Sequence, residues 1–172
     1  MNVYVDWDSL HWQGTHDYSQ AIDDISTYVK GVSTRRGQKT EMGNTPAGTA
    51  QITLDNSSGR FSPPNTSSPL YGKMRPYLPV RIVGDGTTVY TGFISRITCY
   101  PNSKKQEALL YCTDGTDLLA RQMARQQETE RTQGTDGDAI EQLLNVAGWS
   151  ASRRSIDKDG GNIVQYPKTA VF

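Results

Sequence analysis

The strongest constraint on the fold of this chain is the two-residue period of its apolar side chains between frequent turn signals. The run Ala50-Gln51-Ile52-Thr53-Leu54 alternates apolar with polar, the pattern of a strand with one buried face. Short β-branched runs at Val29 to Thr34 and Thr49 to Leu54 flank a polar stretch that includes Arg35, Arg36 and Lys39, which predicts a hairpin with a long arm. Val80-Arg81-Ile82-Val83, the turn Gly84-Asp85-Gly86 and Thr87 to Tyr90 form a compact hairpin signature. Gly92 to Tyr100 reads as the next strand, with Phe93, Ser95, Ile97 and Cys99 on one face and Ile94, Arg96 and Thr98 on the other. A turn centred between Ser103 and Lys104 leads back into Glu107 to Thr113 and sets Cys99 opposite about Ala108 and Cys112 opposite about Ser95. The expected fold class is mainly β, a barrel or sandwich with one or two short helices.

Such a fold must be built on a thin core. Leu, Ile, Val and Phe supply only 32 of 172 residues, just under the roughly 20% at which disorder becomes a concern. The companion sign of disorder, a large net charge, is missing: 18 basic residues balance 18 acidic ones. Nine Tyr and three Trp add buried area that the aliphatic count overlooks, because each ring removes about 150–250 Å² from water. Charge neutrality also gives no footprint of nucleic-acid binding and does nothing to hold copies apart. No stretch approaches the roughly 20 apolar residues of a membrane span, so none is expected, and Met-Asn-Val-Tyr-Val-Asp-Trp-Asp lacks the basic start and the apolar run of a secretory leader. Cys99 and Cys112 are too few for a disulfide framework and read as reduced core thiols.

Between the strands lies a turn at Asp55-Asn56-Ser57-Ser58-Gly59 and then a Pro- and Ser-rich segment from Phe61 to Pro76, with Phe61, Leu70, Tyr71 and Tyr77 as expected anchors. Loops of that length are usually functional or pinned. Two helices follow. Thr116 is the expected N-cap of one from Asp117 to about Gln126, with Leu118, Leu119 and Met123 as its apolar stripe. The other is announced by a capping box, Thr135-x-x-Asp138, by Ile140, Leu143, Leu144 and Ala147 at helical spacing, and by Gly148 as its stop. The nearly apolar-free stretch between them divides the chain into a β domain, 1–125, and a helix-containing segment, 126–172. A further strand is expected at Asn162 to Tyr166, and the apolar ending Ala170-Val171-Phe172 suggests the start of a second domain cut short.

Signatures for zinc proteases, serine nucleophiles, P-loops and dinucleotide folds are all missing. His11 and His16, near Asp17, read as loop residues rather than a catalytic base. Asp6 and Asp8 share a face if Val3 to Asp8 is a strand, but two strand-end acids explain them better than glycosidase carboxylates. Asp55 to Gly59 echoes a calcium loop without its bidentate Glu, so a turn in which Asp55 accepts backbone N–H groups is the preferred reading. No cofactor or metal site is expected.

Several segments taken in order resemble the N-terminal part of minor tail proteins of long-tailed bacteriophages and prophages. They are Asp24-Ile25-Ser26-x-Tyr28-Val29 through Arg35-Arg36-Gly37; Ala47-Gly48-Thr49-Ala50 through Asp55-Asn56-x-x-Gly59-Arg60-Phe61-Ser62-Pro63; Met74-Arg75-Pro76-x-x-Pro79-Val80-Arg81-Ile82; and Tyr90-Thr91-Gly92-Phe93-Ile94. The resemblance covers about residues 20 to 150. It implies a β-barrel related to tail-tube and hub domains, acting as a structural component of a tail tip or baseplate hub at the distal end of the tail tube. It also implies a homo-oligomeric ring or trimer, other tail proteins as partners, a lumen through which DNA passes without base-specific contact, and a location in the virion tail after synthesis in the host cytoplasm. Arg35, Arg36, Asp55, Asn56, Gly59, Arg60, Phe61, Arg75 and Pro76 are the structural-motif and interface candidates, with Asp55 expected to pair with Arg60 and Phe61 to serve as an apolar plug. Two alternatives belong to other classes: a carbohydrate-binding β-domain for host adsorption, using Trp7, Trp12, Tyr18 and Tyr28 as stacking faces, or a tail-associated cell-wall hydrolase. A non-enzymatic assembly role is the preferred expectation.

Overall fold

A computed structural model describes residues 1–9, 16–35, 46–102, 105–123 and 135–157. Its strands are β1 (Asn2–Val5), β2 (Val29–Arg35), β3 (Thr49–Asp55), β4 (Pro79–Gly84), β5 (Thr87–Asn102) and β6 (Lys105–Thr113), followed by helices α1 (Gly115–Met123) and α2 (Asp136–Val146). The fold is mainly β: one antiparallel six-stranded half-barrel sheet in the order β1-β4-β5-β6-β3-β2. Two compact units divide between Asp117 and Leu118, the first holding the sheet. The division expected at 125/126 falls outside the described residues.

Alternation fixes which face is buried. Val3 and Val5 of β1, Ala50, Ile52 and Leu54 of β3, Val80 and Ile82 of β4, Tyr90 and Ile94 of β5, and Ala108, Leu110 and Cys112 of β6 all point into one core. Each fully buried Val, Ile or Leu side chain there stabilises the fold by about 1.5–3 kcal/mol relative to exposure. The β4–β5 hairpin turns through Asp85 (φ 49°) and Gly86 (φ 77°), the pair of left-handed residues that matches the twist of a two-residue connection.

Residues 87–102 form one 16-residue strand rather than the expected two. Gly92 is not a break. A Cβ there would stand 2.5 Å from both the Thr113 carbonyl oxygen and the Tyr90 hydroxyl, so glycine lets the backbone pass close beneath the Tyr90 ring. A bulge between Ile94 and Arg96 then shifts the register and reverses the parity of the strand. Ile94 faces inward before it and Ile97 and Cys99 pack against the core after it, which corrects the expected grouping of Ser95 with Ile97. Cys99 lies opposite Ala108 and Cys112 opposite Ile94, so the thiols are not cross-strand partners, and both are free. Burial pushes the Cys112 thiol up to about 12.

The sheet's two edges differ. β1 is covered on its outer side by residues 23–25: Val5 N–H donates to the Asp23 carbonyl (2.9 Å) and Ile25 N–H to the Val3 carbonyl (3.0 Å). A single 3-10 turn, Ser26–Tyr28, carries the chain from there into β2. β2 pairs with β3 alone, so among the described residues its second edge is open.

Helix α1 begins earlier than expected. Asp114, not Thr116, holds the N-cap position: its carboxylate accepts the Thr116 N–H (3.0 Å) and also the Gly48 N–H (2.6 Å), tying the return of the β2–β3 hairpin to the helix start. Helix α2 carries the capping box of Thr135 and Asp138. It stops where Gly148 (φ 71°) donates to the Asn145 carbonyl and Trp149 N–H donates to the Leu144 carbonyl, both at 2.9 Å. Of its apolar stripe Ala147 is buried, whereas Ile140 and Leu143 are exposed. The strand expected at 162–166 lies outside the described residues.

Candidate functional site: the looped end of the sheet

Residues 56–78 join β3 to β4 with neither strand nor helix, yet they are closely fixed. Successive i→i+3 bonds link Gly59 to Asn56, Ser62 to Gly59, Asn65 to Ser62, Ser68 to Asn65 and Tyr71 to Ser68, at 2.9–3.1 Å. Every third residue therefore closes one turn and opens the next. Polar side chains at those same positions complete the frame. Asn56, buried, accepts the Phe61 N–H on Oδ1 (2.8 Å) and donates from Nδ2 to Ser62 Oγ (3.0 Å). Asn65 donates to the Gly59 carbonyl (3.0 Å), and Ser68 Oγ donates to the Arg60 carbonyl (2.5 Å). Gly59 (φ 70°) makes the tight start of this path possible.

Phe61, Leu70 and Leu78 drop from the loop into the core. Phe61 is fully buried, with Trp7 and Tyr28 ring centroids 6.5 and 5.5 Å away. Its carbonyl accepts the Cys99 thiol hydrogen at 3.0 Å, and burial raises that thiol's pKa. Tyr71 and Tyr77, expected as anchors, are exposed. Tyr77 instead adopts φ 67° and donates its N–H to the Ile94 carbonyl (2.6 Å), so the backbone at this position, not the ring, is held. Leu78 takes the apolar role that the spacing assigned to Tyr77.

Two buried carboxylates fasten the neighbouring N-terminal segments. Asp6 accepts the N–H groups of Ser9 (2.9 Å) and Asp17 (3.1 Å); Asp23 accepts those of Trp7 (3.4 Å) and Gln20 (3.1 Å). Desolvation raises the Asp23 pKa against those two N–H bonds, and the charges of Asp6 and Asp8 push it the same way. β1 ends at Val5, so Asp6 and Asp8 do not form a strand-face pair. Asp6 is buried among N–H donors, whereas Asp8 is exposed and meets Lys73 at 2.7 Å. Arg75 donates to the Ser9 carbonyl (3.0 Å), so the far end of the loop also grips the N-terminal segment. Pro76 is exposed beside it.

The expected Asp55–Arg60 pair does not form. Asp55, the last residue of β3, accepts from Ser57 N–H and Oγ (both 3.2 Å) and faces Lys30 at 3.6 Å. The Ser57 N–H lowers its pKa, with the Ser57 hydroxyl and Lys30 adding to the effect. Lys30 also reaches Glu107 (3.7 Å), because β2, β3 and β6 lie side by side. Arg60 turns the other way and lies over the Tyr28 ring, 5.0 Å from its centroid. Arg35 is exposed at the end of β2, while Arg36 and Lys39 lie outside the described residues.

The loop thus brings Asn56, Gly59, Arg60, Phe61 and Arg75 into one capped end and leaves Arg35 at the end of β2. Sequence reasoning missed Trp7, Asp6 and Asp23 as members of that end; the bonds of the two carboxylates span up to 16 residues, and no local motif announces them. No group of three or more His, Cys, Asp or Glu among the described residues is placed to hold a metal. Trp7 is buried, which removes it as an open stacking face, and Tyr18 and Tyr28 are half-buried, each with an arginine guanidinium over its ring; Trp12 and His11 lie outside the described residues. No described helix is long and apolar enough to cross a membrane. No protein-family model matches the chain, and no curated protein does.

Proposed function

We propose that the chain is a structural assembly component, of the kind found at the tip or baseplate hub of a long-tailed phage, and that it works without catalysis. The observation that carries this reading is the contrast between its closed and open boundaries. One end of the half-barrel is sealed by residues 56–78, and the edge at β1 is covered by residues 23–25, while among the described residues the seven-residue β2 keeps a free edge. An unpaired strand edge is a template for another chain, which monomeric proteins ordinarily cover. The ordered tail-protein-like segments supply the class of assembly: a ring or trimer that contacts other tail proteins around a lumen wide enough for DNA. Of the nine interface candidates, Arg35 at the end of β2 and its neighbour in sequence Arg36 are the ones this reading assigns to a neighbouring copy; Asn56, Gly59 and Phe61 shape the subunit itself.

Negative-stain imaging combined with mass measurement tests the reading. Rings or trimers support it. A monomer that stays monodisperse at high concentration and shifts on adding a glycan would replace it with the host-adsorption reading.

A further inference from the structure

On the outer face of the sheet, Tyr4 of β1, Arg81 of β4 and Thr91 of β5 lie in one cross-strand row: Tyr4 is the register partner of Arg81, and Arg81 of Thr91. The Arg81 guanidinium carbon lies 5.1 Å from the Tyr4 ring centroid and 4.6 Å from that of Tyr18. Tyr18 arrives from residues 16–20, which cross this face. His16 sits edge-on to Phe93 at 5.8 Å, and the Asp17 N–H is tied down by Asp6. Two rings therefore hold the guanidinium before any ligand arrives, which cuts the ordering cost of using it.

What the guanidinium lacks is an acceptor. Its Nε is buried with no hydrogen-bond partner, and no carboxylate or carbonyl among the described residues bonds either terminal nitrogen. The groups in its row are donors or can act as donors. Thr91 is exposed with a hydroxyl on the same face. The Tyr4 hydroxyl already accepts from Asn2 Nδ2 (3.2 Å), which leaves its own hydrogen to give.

We propose that the Tyr4–Arg81–Thr91 row is a carboxylate-binding site, in which Arg81 takes the two oxygens on its fork and the Thr91 hydroxyl donates to one of them. A fixed planar fork matches a carboxylate bidentately. One positive charge flanked by neutral hydroxyls balances a single negative charge, whereas a phosphate dianion ordinarily gathers more than one cation. This site stands apart from the assembly reading and does not depend on it.

The test is nitrogen-labelled NMR of the intact chain with sodium acetate at constant ionic strength. Arg96 serves as the internal control, because it stacks on a single ring, Tyr111, at 4.3 Å and is exposed. The Arg81 Nε–Hε signal is expected to move about threefold further than that of Arg96, as a preorganised fork binds more strongly than an exposed one. Equal movement overturns the site. In Arg81→Lys the acetate response of the Thr91 amide is expected to fall about fivefold, because an ammonium cannot form the bidentate pair; an unchanged response overturns it. Thr91→Val, which leaves the Arg81 stack intact, is expected to weaken the Arg81 response about twofold by removing one donor, and no change contradicts the row as the site. Inorganic phosphate is expected to move Arg81 no further than acetate; a larger shift overturns the assignment to carboxylate.

Discussion

Residues 56–78 and strand β2 invert the usual relation between regular structure and fixity. The loop has no strand or helix, yet Asn56, Asn65 and Ser68 bond its own backbone while Phe61, Leu70 and Leu78 are buried beneath it. β2 is regular, yet it is half-buried at best, becomes exposed toward Arg35, and among the described residues is paired on one side only. The difference teaches that the loop spends its polar groups on its own backbone, whereas β2 leaves a row of backbone donors and acceptors unpaired by any other described strand.

The comparison breaks most severely at Phe61. Phe61→Ala removes a ring buried against Trp7 and Tyr28 and is expected to cost about 3–5 kcal/mol, read from chemical denaturation. Asn56→Ala comes next. It leaves the buried Phe61 N–H without its acceptor and is expected to cost about 1–3 kcal/mol. Asn65→Ala loses the bond to the Gly59 carbonyl at a less buried site, for about 0.5–1.5 kcal/mol. If Phe61→Ala and Asn65→Ala had equal, negligible effects, the loop would not be held by an apolar plug.

Asp23 sharpens the comparison through pH. Its folded pKa is raised, chiefly by burial, so between its ordinary value and the raised one the folded chain keeps a proton that the unfolded chain releases. Stability from this group is therefore highest at low pH and falls as pH rises through that window, then levels off once both states are ionised. The stability of the wild type relative to Asp23→Asn is expected to decline from about pH 4 upward and then flatten, followed by denaturant midpoints across pH. The smallest effect is expected at β2: Lys30→Glu sets a third acid beside Asp55 and Glu107, and in solvent the midpoint should fall less than for any loop variant and recover with added salt.

Local patterns made much of the fold legible. Alternation in Ala50 to Leu54 and the Asp85-Gly86 turn depend on neighbours in sequence, as does the Thr135–Asp138 capping box. The Ser95 bulge was hidden because it depends on what β6 presents opposite. Gly92 resembled a strand break because the Tyr90 ring it accommodates lies two residues back on the same face, and the carbonyl it passes belongs to Thr113. In the candidate site, Asn56, Gly59 and Phe61 stood out as a compact turn motif. Nearness in sequence points Asp55 to Arg60, while its charged partner, Lys30, is brought over by the β2–β3 pairing.

Amide hydrogen exchange at two protein concentrations tests the central claim, that the subunit is complete at its looped end and incomplete along β2. At low concentration the Phe61, Ser62 and Asn65 amides should be protected and the outward-facing amides of β2 should exchange quickly. Raising the concentration should protect β2 alone. If those β2 amides are protected in the dilute monomer, or remain unprotected however concentrated the chain becomes, β2 is not an assembly edge and the account is wrong.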